Sequence, residues 1–385
     1  MTVMERPPLP DPETGDAHHL LALLPGMKPE HWQTVLDQLE EPTRVLAMPP
    51  DSLKALGLPP ATRQSLTGWQ AQGLEPATGQ RLAHARQECE RLGIRVIHWR
   101  HPDYPRVLRH IHGPPPVLYC RGNMAALARP CLAMVGSRHA SRDGLNHARR
   151  FAHALAEGGF SVVSGLALGI DGAAHQGALE GNGITLGILA NGVDRPYPRR
   201  HQKLAAQMLE ADGLLVSELP PGTPARSHLF PQRNRLISGL CQGVLIVEAG
   251  LRSGSLITAR LAMEQGREVF AIPGSIHQPG VRGCHRLIRE GAVLVETVDD
   301  IVSELGAWDS LSQTPEQLAA PEDTPAHLDP LSHQVLEAVT YEPVDSDSLC
   351  QATGLGAADL LQALLLLEME GLVESTTGGY RRRMG

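Results

Sequence analysis

CLAMVGSRHASRDGLNHARRFAHALAEGGFSVVSGLALGIDGAAH, residues 131–175, decides the fold. Two short apolar runs, Cys131–Val135 and Phe160–Ser164, each pass into a glycine-bearing loop, and each loop opens a helical stretch. Runs this short and this continuously apolar read as strands buried on both faces, as in a parallel sheet covered by helices above and below. Asp143–Glu157 between them has helical spacing, and Ser141 stands where an N-cap belongs.

Outward from this stretch the alternation continues. Further strands are predicted at Ile94–His98, Val117–Cys120, Ile184–Leu189, Gly213–Val216, Val244–Val247, Val269–Ile272 and Ala292–Val295. Helices are predicted at Arg81–Leu92, Ala173–Leu179, Arg199–Glu210, Gln232–Leu240, Ser255–Gln265 and His285–Glu290. Residues 81–305 therefore read as one α/β domain with a mainly parallel sheet.

The flanks differ. Residues 1–80 read as a small helical domain of the helix-hairpin-helix or SAM-like kind, with helices at His18–Leu24, Pro29–Leu39, Pro50–Leu56 and Pro60–Gln72. Leu24-Pro25-Gly26-Met27 resembles a hairpin that binds phosphate through backbone N–H groups. With one glycine and Lys28 as the sole nearby base, a packing role reads better. Residues 306–330 are proline-rich and acidic without Lys or Arg after Gly306, the composition of a flexible linker. Residues 331–385 read as three helices and a hairpin, the outline of a winged helix, a fold that binds DNA in some proteins and protein in others.

The net charge of −8 opposes a nucleic-acid role only if charge is averaged, since binding follows the local field. Arginine is dense between Arg138 and Arg289, and acid collects in the linker. Aromatics make up only 3%, which argues against a broad base-stacking sheet. The six cysteines form no C-x-x-C pair, so neither a metal knuckle nor a disulfide framework is expected, and the setting reads as a reducing cytoplasm. No run approaches the ~20 apolar residues of a membrane span, and the N-terminus has no signal-peptide pattern.

Ligands of open parallel sheets bind at the carboxyl ends of strands, near the reversal of strand order. Four loops qualify. Gly136-Ser137-Arg138 joins a free backbone to a fork-shaped phosphate donor. Ser164–His175 carries Gly165, Gly169 and Gly172 for close backbone approach, with Asp171 read as a helix cap and His175 as structural. Phe230-Pro231-Gln232-Arg233-Asn234-Arg235 offers a ring for a base and arginines for phosphate, although in isolation Phe230 reads slightly better as core. Arg252-Ser253-Gly254-Ser255 opens another helix and suits oxyanions. The P-loop pattern, G-x-G-x-x-G, G-x-S-x-G and H-E-x-x-H are all missing. Several oxyanion loops without a nucleophile or metal cluster point to a chain of phosphates, with no cofactor and no metal.

Gly136-Ser137-Arg138, SGLALGIDGAAH (164–175), FPQRNRLISGL (230–240), EAGLRSGSLITARLAMEQGREVFAIPG (248–274) and RGCHRLIREGA (282–292) occur in this order in one domain. Together they resemble the DNA-processing protein A family (DprA, also called Smf). The resemblance implies an extended Rossmann-like fold, single-stranded DNA binding without catalysis, a homodimer, and loading of the RecA recombinase during natural transformation. It places contacts on Gly136, Ser137, Arg138, Gly165, Gly169, Phe230, Arg233, Asn234 and Arg252, Ser253, Gly254 and Ser255. It also places a dimer contact near Leu287, Ile288 and Leu294. Leu168 departs from the family, whose members often carry a base there; Arg226 or Arg142 are the expected substitutes. The competing expectation is a nucleotide phosphoribohydrolase of the Lonely-guy type, whose P-G-G-x-G-T-x-x-E loop would fall near Glu248–Arg260. This chain lacks that Gly-Gly and the following acid. A duplex-reading winged-helix regulator is the third.

Overall fold

Among the described residues the main sheet has nine strands: β1 Arg95–His98, β2 Val117–Gly122, β3 Cys131–Val135, β4 Ser161–Ser164, β5 Thr185–Ile188, β6 Leu214–Ser217, β7 Gly243–Ile246, β8 Glu268–Ala271 and β9 Val293–Leu294. The structure is a computed structural model that describes residues 7–11, 14–312, 329–340, 344–376 and 379–382. The strand order is β1-β2-β6-β5-β4-β3-β7-β8-β9. From β6 through β9 all neighbours pair in parallel, while β1–β2 and β2–β6 are antiparallel. Every residue of β3 to β7 is buried, so these strands show continuous apolar runs rather than alternation.

The chain leaves β3 toward β4, β5 and β6 on one side, then returns to β7 on the other. The switch point therefore lies between β3 and β7. Helices cover both faces. On one, α6 (Arg142–Glu157), α7 (Ile170–Glu180) and α12 (Val298–Ser312) pack on Leu132, Met134, Val162 and Leu245. On the other, α9 (Leu229–Gly239), α10 (Ser255–Glu264) and α11 (Arg282–Arg289) pack on Ala133, Val135, Val163, Val244 and Ile246. Helix α8 (Gln202–Glu210) follows β5.

The N-terminal helices α1 (Gly15–Leu21), α2 (Pro29–Gln38), α3 (Pro50–Ala55), α4 (Pro60–Gln72) and α5 (Pro76–Leu92) do not keep a core of their own. Leu20, Leu21, Leu66 and Trp69 share one apolar cluster with Tyr119, Leu189, Met208 and Leu215 of the α/β part. His19 Nδ1 lies 3.0 Å from the buried Tyr119 hydroxyl, and Gly113 N–H donates to Gln33 Oε1 at 2.8 Å. The division expected at residue 80 is thus absent, and residues 1–308 form one compact unit. A small helical segment buries a limited fraction of its own surface, and packing against the sheet adds to it.

Helix α12 runs past the expected end of the α/β part at residue 305, to Ser312. Most of the expected linker lies outside the described residues. The second unit, residues 309–385, contains α13 (Pro330–Ala338), α14 (Ser346–Thr353), α15 (Ala357–Met369) and the hairpin β10 (Val373–Thr376) and β11 (Gly379–Arg382). Val335, Leu349, Leu360, Leu364, Leu367 and Val373 make its core, and Val344 bridges to Tyr380. This is the winged helix expected from the sequence. Among the described residues no single helix is long and apolar enough to cross a membrane.

His175 bears on the stability of this fold. Its ring is fully buried, with Nδ1 2.6 Å from Thr185 Oγ1. That hydroxyl already donates to Val162 O at 2.7 Å, so Nδ1 carries the hydrogen and Nε2 is left as a buried lone pair without a partner. Burial pulls the His175 pKa down to about 3, and burial with the neighbouring His98 pulls His18 down to about 4. A depressed imidazole favours folding above its unfolded value of about 6.5 and loses that contribution as pH falls below it. Each of these two imidazoles is expected to remove up to about 2 kcal/mol of stability to urea between pH 7 and pH 5. His175→Gln should flatten that dependence in part; an equally steep profile in the variant would remove His175 from the explanation.

Candidate nucleic-acid interface

The loops after β3 and β7 meet at the switch point. Ser137 N–H donates to Glu248 O at 2.7 Å, which ties one loop to the other. Ser141 caps α6 as the sequence predicts: its Oγ accepts from Gly144 N–H at 3.0 Å and donates to Glu248 Oε2 at 2.5 Å. Ser141 N–H also donates to Glu248 Oε1 at 3.0 Å. Glu248 is buried, so its carboxylate serves the start of α6.

The loop after β4 supports these two from beneath. Gly169 has φ 78° and ψ −127°, and a Cβ there would stand 2.2 Å from Ser137 O. Only glycine permits both that backbone and that approach. Ile170 N–H then donates to Ser137 O at 3.2 Å. Buried Asp171 accepts from Gly165 N–H at 3.1 Å and from Ala167 N–H at 3.3 Å. Burial raises its pKa, against the pull of nearby Arg233. Asp171 thus ties the loop to the helix start.

Above these supports lies a cleft of about 780 Å³. Gly136, Ser137, Arg138, Phe230, Asn234 and the whole of Arg252 to Ser255 line it. Arg138 and Arg252 are exposed, and Phe230, in the first turn of α9, is half-buried. The Arg138 guanidinium lies 5.2 Å from the centre of the Phe230 ring, and Tyr197 stands 6.0 Å from the same ring. At the start of α10 the Ser253 and Ser255 hydroxyls are 2.7 Å apart. Among the described residues, the one acid lining the cleft is the buried Asp171, against three exposed arginines, Arg138, Arg252 and Arg282. The cleft is locally positive although the chain is acidic.

Other expected residues are buried, support the cleft or lie elsewhere. Arg233 is buried, donates from Nη1 to Ile188 O at 2.6 Å, and packs against Gly165, where a Cβ would meet Nη1 at 2.0 Å. Burial brings its pKa down to about 10. It lines the cleft wall from the core side and also braces the Gly165 loop. Gly165 and Gly169 support the cleft without lining it. Arg226 is exposed but lines a neighbouring groove, and neither it nor Arg142 lines the cleft. Of the residues expected at a dimer contact, Leu287 is buried in the core, Ile288 is partly buried, and Leu294 is 45% exposed on the edge strand β9. Leu287 has no face left for a partner.

Residues at the cleft that are absent from the set expected on sequence include His139, Arg282 and, beside Phe230, Tyr197. Arg282 opens the RGCHRLIREGA block, and a base at a helix start is the local signal for it. Nothing in the local sequence marks Tyr197, which the loop after β5 brings to α9. Among the described residues no group of three or more His, Cys, Asp or Glu is arranged to hold a metal.

Comparison with known proteins agrees with this architecture. The family model for DNA recombination-mediator protein A matches residues 95–306, and that for the DprA winged helix domain matches residues 319–379. Protein Smf of Escherichia coli is 43% identical over 282 residues, covering 72% of this chain and 75% of the relative. The DNA processing protein DprA of Streptococcus pneumoniae is 45% identical over 201 residues, covering 52% and 71%. The X-ray structure of the S. pneumoniae protein superposes with a TM-score of 0.65 at 34% identity, over 76% of this chain and 98% of that one. A Helicobacter pylori DNA processing protein A, solved to describe its single-stranded DNA binding mode, gives 0.50 at 28% identity over 56% and 96%. On the fold, the ordered loops and these matches, the chain belongs to the DNA recombination-mediator protein A family.

Proposed function

We propose that the chain binds single-stranded DNA in the cleft between β3 and β7 and performs no chemistry on it. The observation that carries this reading is the cleft itself: three exposed arginines and a half-buried phenylalanine over helix-start loops. Arginines suit phosphates and a ring suits a base. The acids near the switch point are engaged, Asp171 by backbone N–H groups and Glu248 by Ser141. This weighs against a phosphoribohydrolase, as does Arg252 in a loop where that enzyme carries glycines. The single-stranded DNA binding mode of the H. pylori relative supports the same reading. Loading of RecA, a homodimer, a role in natural transformation and a cytoplasmic setting extend the proposal on family grounds. A monomeric mass by light scattering at micromolar concentration counts against the dimer, and failure to speed RecA filament formation on coated single strands counts against loading.

The test separates the two kinds of contact. Arg138→Ala is expected to weaken binding to all sequences and to flatten the plot of log affinity against log salt by about 0.7, one single-strand phosphate contact. Phe230→Ala should cost ~1–3 kcal/mol of affinity with little change in slope. Because Arg138 rests on the Phe230 ring, the double variant should lose less than the sum of the singles. Nucleotide turnover that survives further purification, or an Arg138→Ala variant with unchanged affinity and salt slope, would sink the reading.

A further inference from the structure

A second hollow, of about 960 Å³, lies across the turn that joins β6 to α9. One wall comes from the N-terminal helices, with Met27 and Lys28 of the hairpin and Arg81 and His84 of α5. The facing wall is the turn itself, from Glu218 to Leu229. Residues 226–230 form the partition between the two hollows. Ser227 and Phe230 line the cleft, whereas Arg226, His228 and Leu229 line the groove. A polymer that leaves the cleft over this partition meets the groove next.

The chemistry of the walls selects the polymer. Lys28, Arg81 and Arg226 are exposed at the groove. Arg81 and Arg226 make no ion pair among the described residues, and Lys28 lies 3.7 Å from Glu30, both of them solvated. Among the described residues the one acid lining the groove is Glu218, and Arg235 takes both its oxygens at 3.0 and 2.6 Å. Leu24, Met27, Leu219 and Leu229 add apolar surface. Exposed cations around apolar surface match a chain of phosphates that carries flat, partly apolar bases. The walls are also pre-set. Thr62 Oγ1 donates to Pro25 O at 2.6 Å behind the hairpin, and Gly222 N–H of the turn donates to Asp194 Oδ1 of the loop after β5 at 3.0 Å.

We infer that this groove is a second oligonucleotide subsite, which takes the next nucleotides of a single strand already seated in the central cleft. The inference rests on the reading of that cleft. It also gives the N-terminal helices a role in DNA binding beyond packing, with Lys28 and Arg81 as its phosphate contacts.

The test uses the full chain, oligothymidines of increasing length, and the double variant Lys28→Gln with Arg81→Gln. Both side chains are exposed, so the variant should melt with the unaltered chain. The shortest oligothymidine that binds should keep its affinity within about twofold. One of about 20 nucleotides should bind about tenfold more weakly, with a salt slope flatter by about 1.4, two single-strand contacts. Arg138→Ala should weaken both lengths. Equal losses at both lengths, or no loss at the longer one, overturn the groove and leave the cleft standing. An unaltered chain that binds neither length overturns the cleft and the groove with it.

Discussion

Gly169→Ala is expected to lower the stability of the chain by about 2–5 kcal/mol and to weaken single-strand binding by more than about tenfold. Two costs combine. At φ 78° and ψ −127° the backbone stands where a side chain is strained. The added methyl also meets Ser137 O at 2.2 Å and the Arg138 backbone at 2.9 Å. Those atoms belong to the loop that presents Arg138, so relief of the collision moves the cleft. Gly159→Ala is the control, because its φ is +89° and nothing lies within 4 Å of the new methyl. It carries the backbone cost alone and should leave DNA affinity unchanged. The measurements are denaturant midpoints and oligonucleotide affinity under conditions in which both variants are folded. If Gly169→Ala and Gly159→Ala lose the same stability and neither loses affinity, the Gly169 loop is no support for the cleft.

Asp171→Ala is expected to cost about 3–5 kcal/mol of folding stability. It strands two N–H groups, at Gly165 and Ala167, and leaves the buried Arg233 without its nearby negative charge. Removing one member of a buried charge pair costs more than removing both, since the survivor stays charged and out of water. Asp171→Asn with Arg233→Met should therefore be less destabilised than the sum of its single variants. Strict additivity in the denaturant midpoints would mean that the two charges do not support each other. Because Arg233 both lines the cleft and braces the Gly165 loop, an Arg233 variant that loses DNA binding with its denaturant midpoint unchanged reports a phosphate contact, and one that loses both reports the brace.

The fold of the α/β part and half of its cleft are legible in the chain of residues. Cys131–Val135 and Val244–Val247 announce buried parallel strands because a strand covered on both faces has no polar side to show. Ser141 announces a helix start because a hydroxyl is needed there to accept a free N–H, and Gly144 N–H is the one it takes. The loops that follow such strands carry Arg138 and Arg252 into the cleft, and Phe230 is half-exposed at the α9 start. The burial of Arg233 also has a local signal: on α9 it shares a face with Leu236, Ile237 and Leu240, all buried, so helical periodicity turns it inward.

Other features follow only from tertiary packing. Residues 1–80 have the helical spacing of a separate domain, yet Leu20, Leu66 and Trp69 find their partners in Tyr119, Leu189 and Leu215, far along the chain. Tyr197 reaches Phe230, and Arg226 faces a different hollow from its neighbour Ser227, because the loops after β5 and β6 end beside α9. Periodicity is a local property and specifies which face of an element is apolar. Which surface covers that face depends on contacts between residues distant in sequence, and these are settled when the sheet order brings them together.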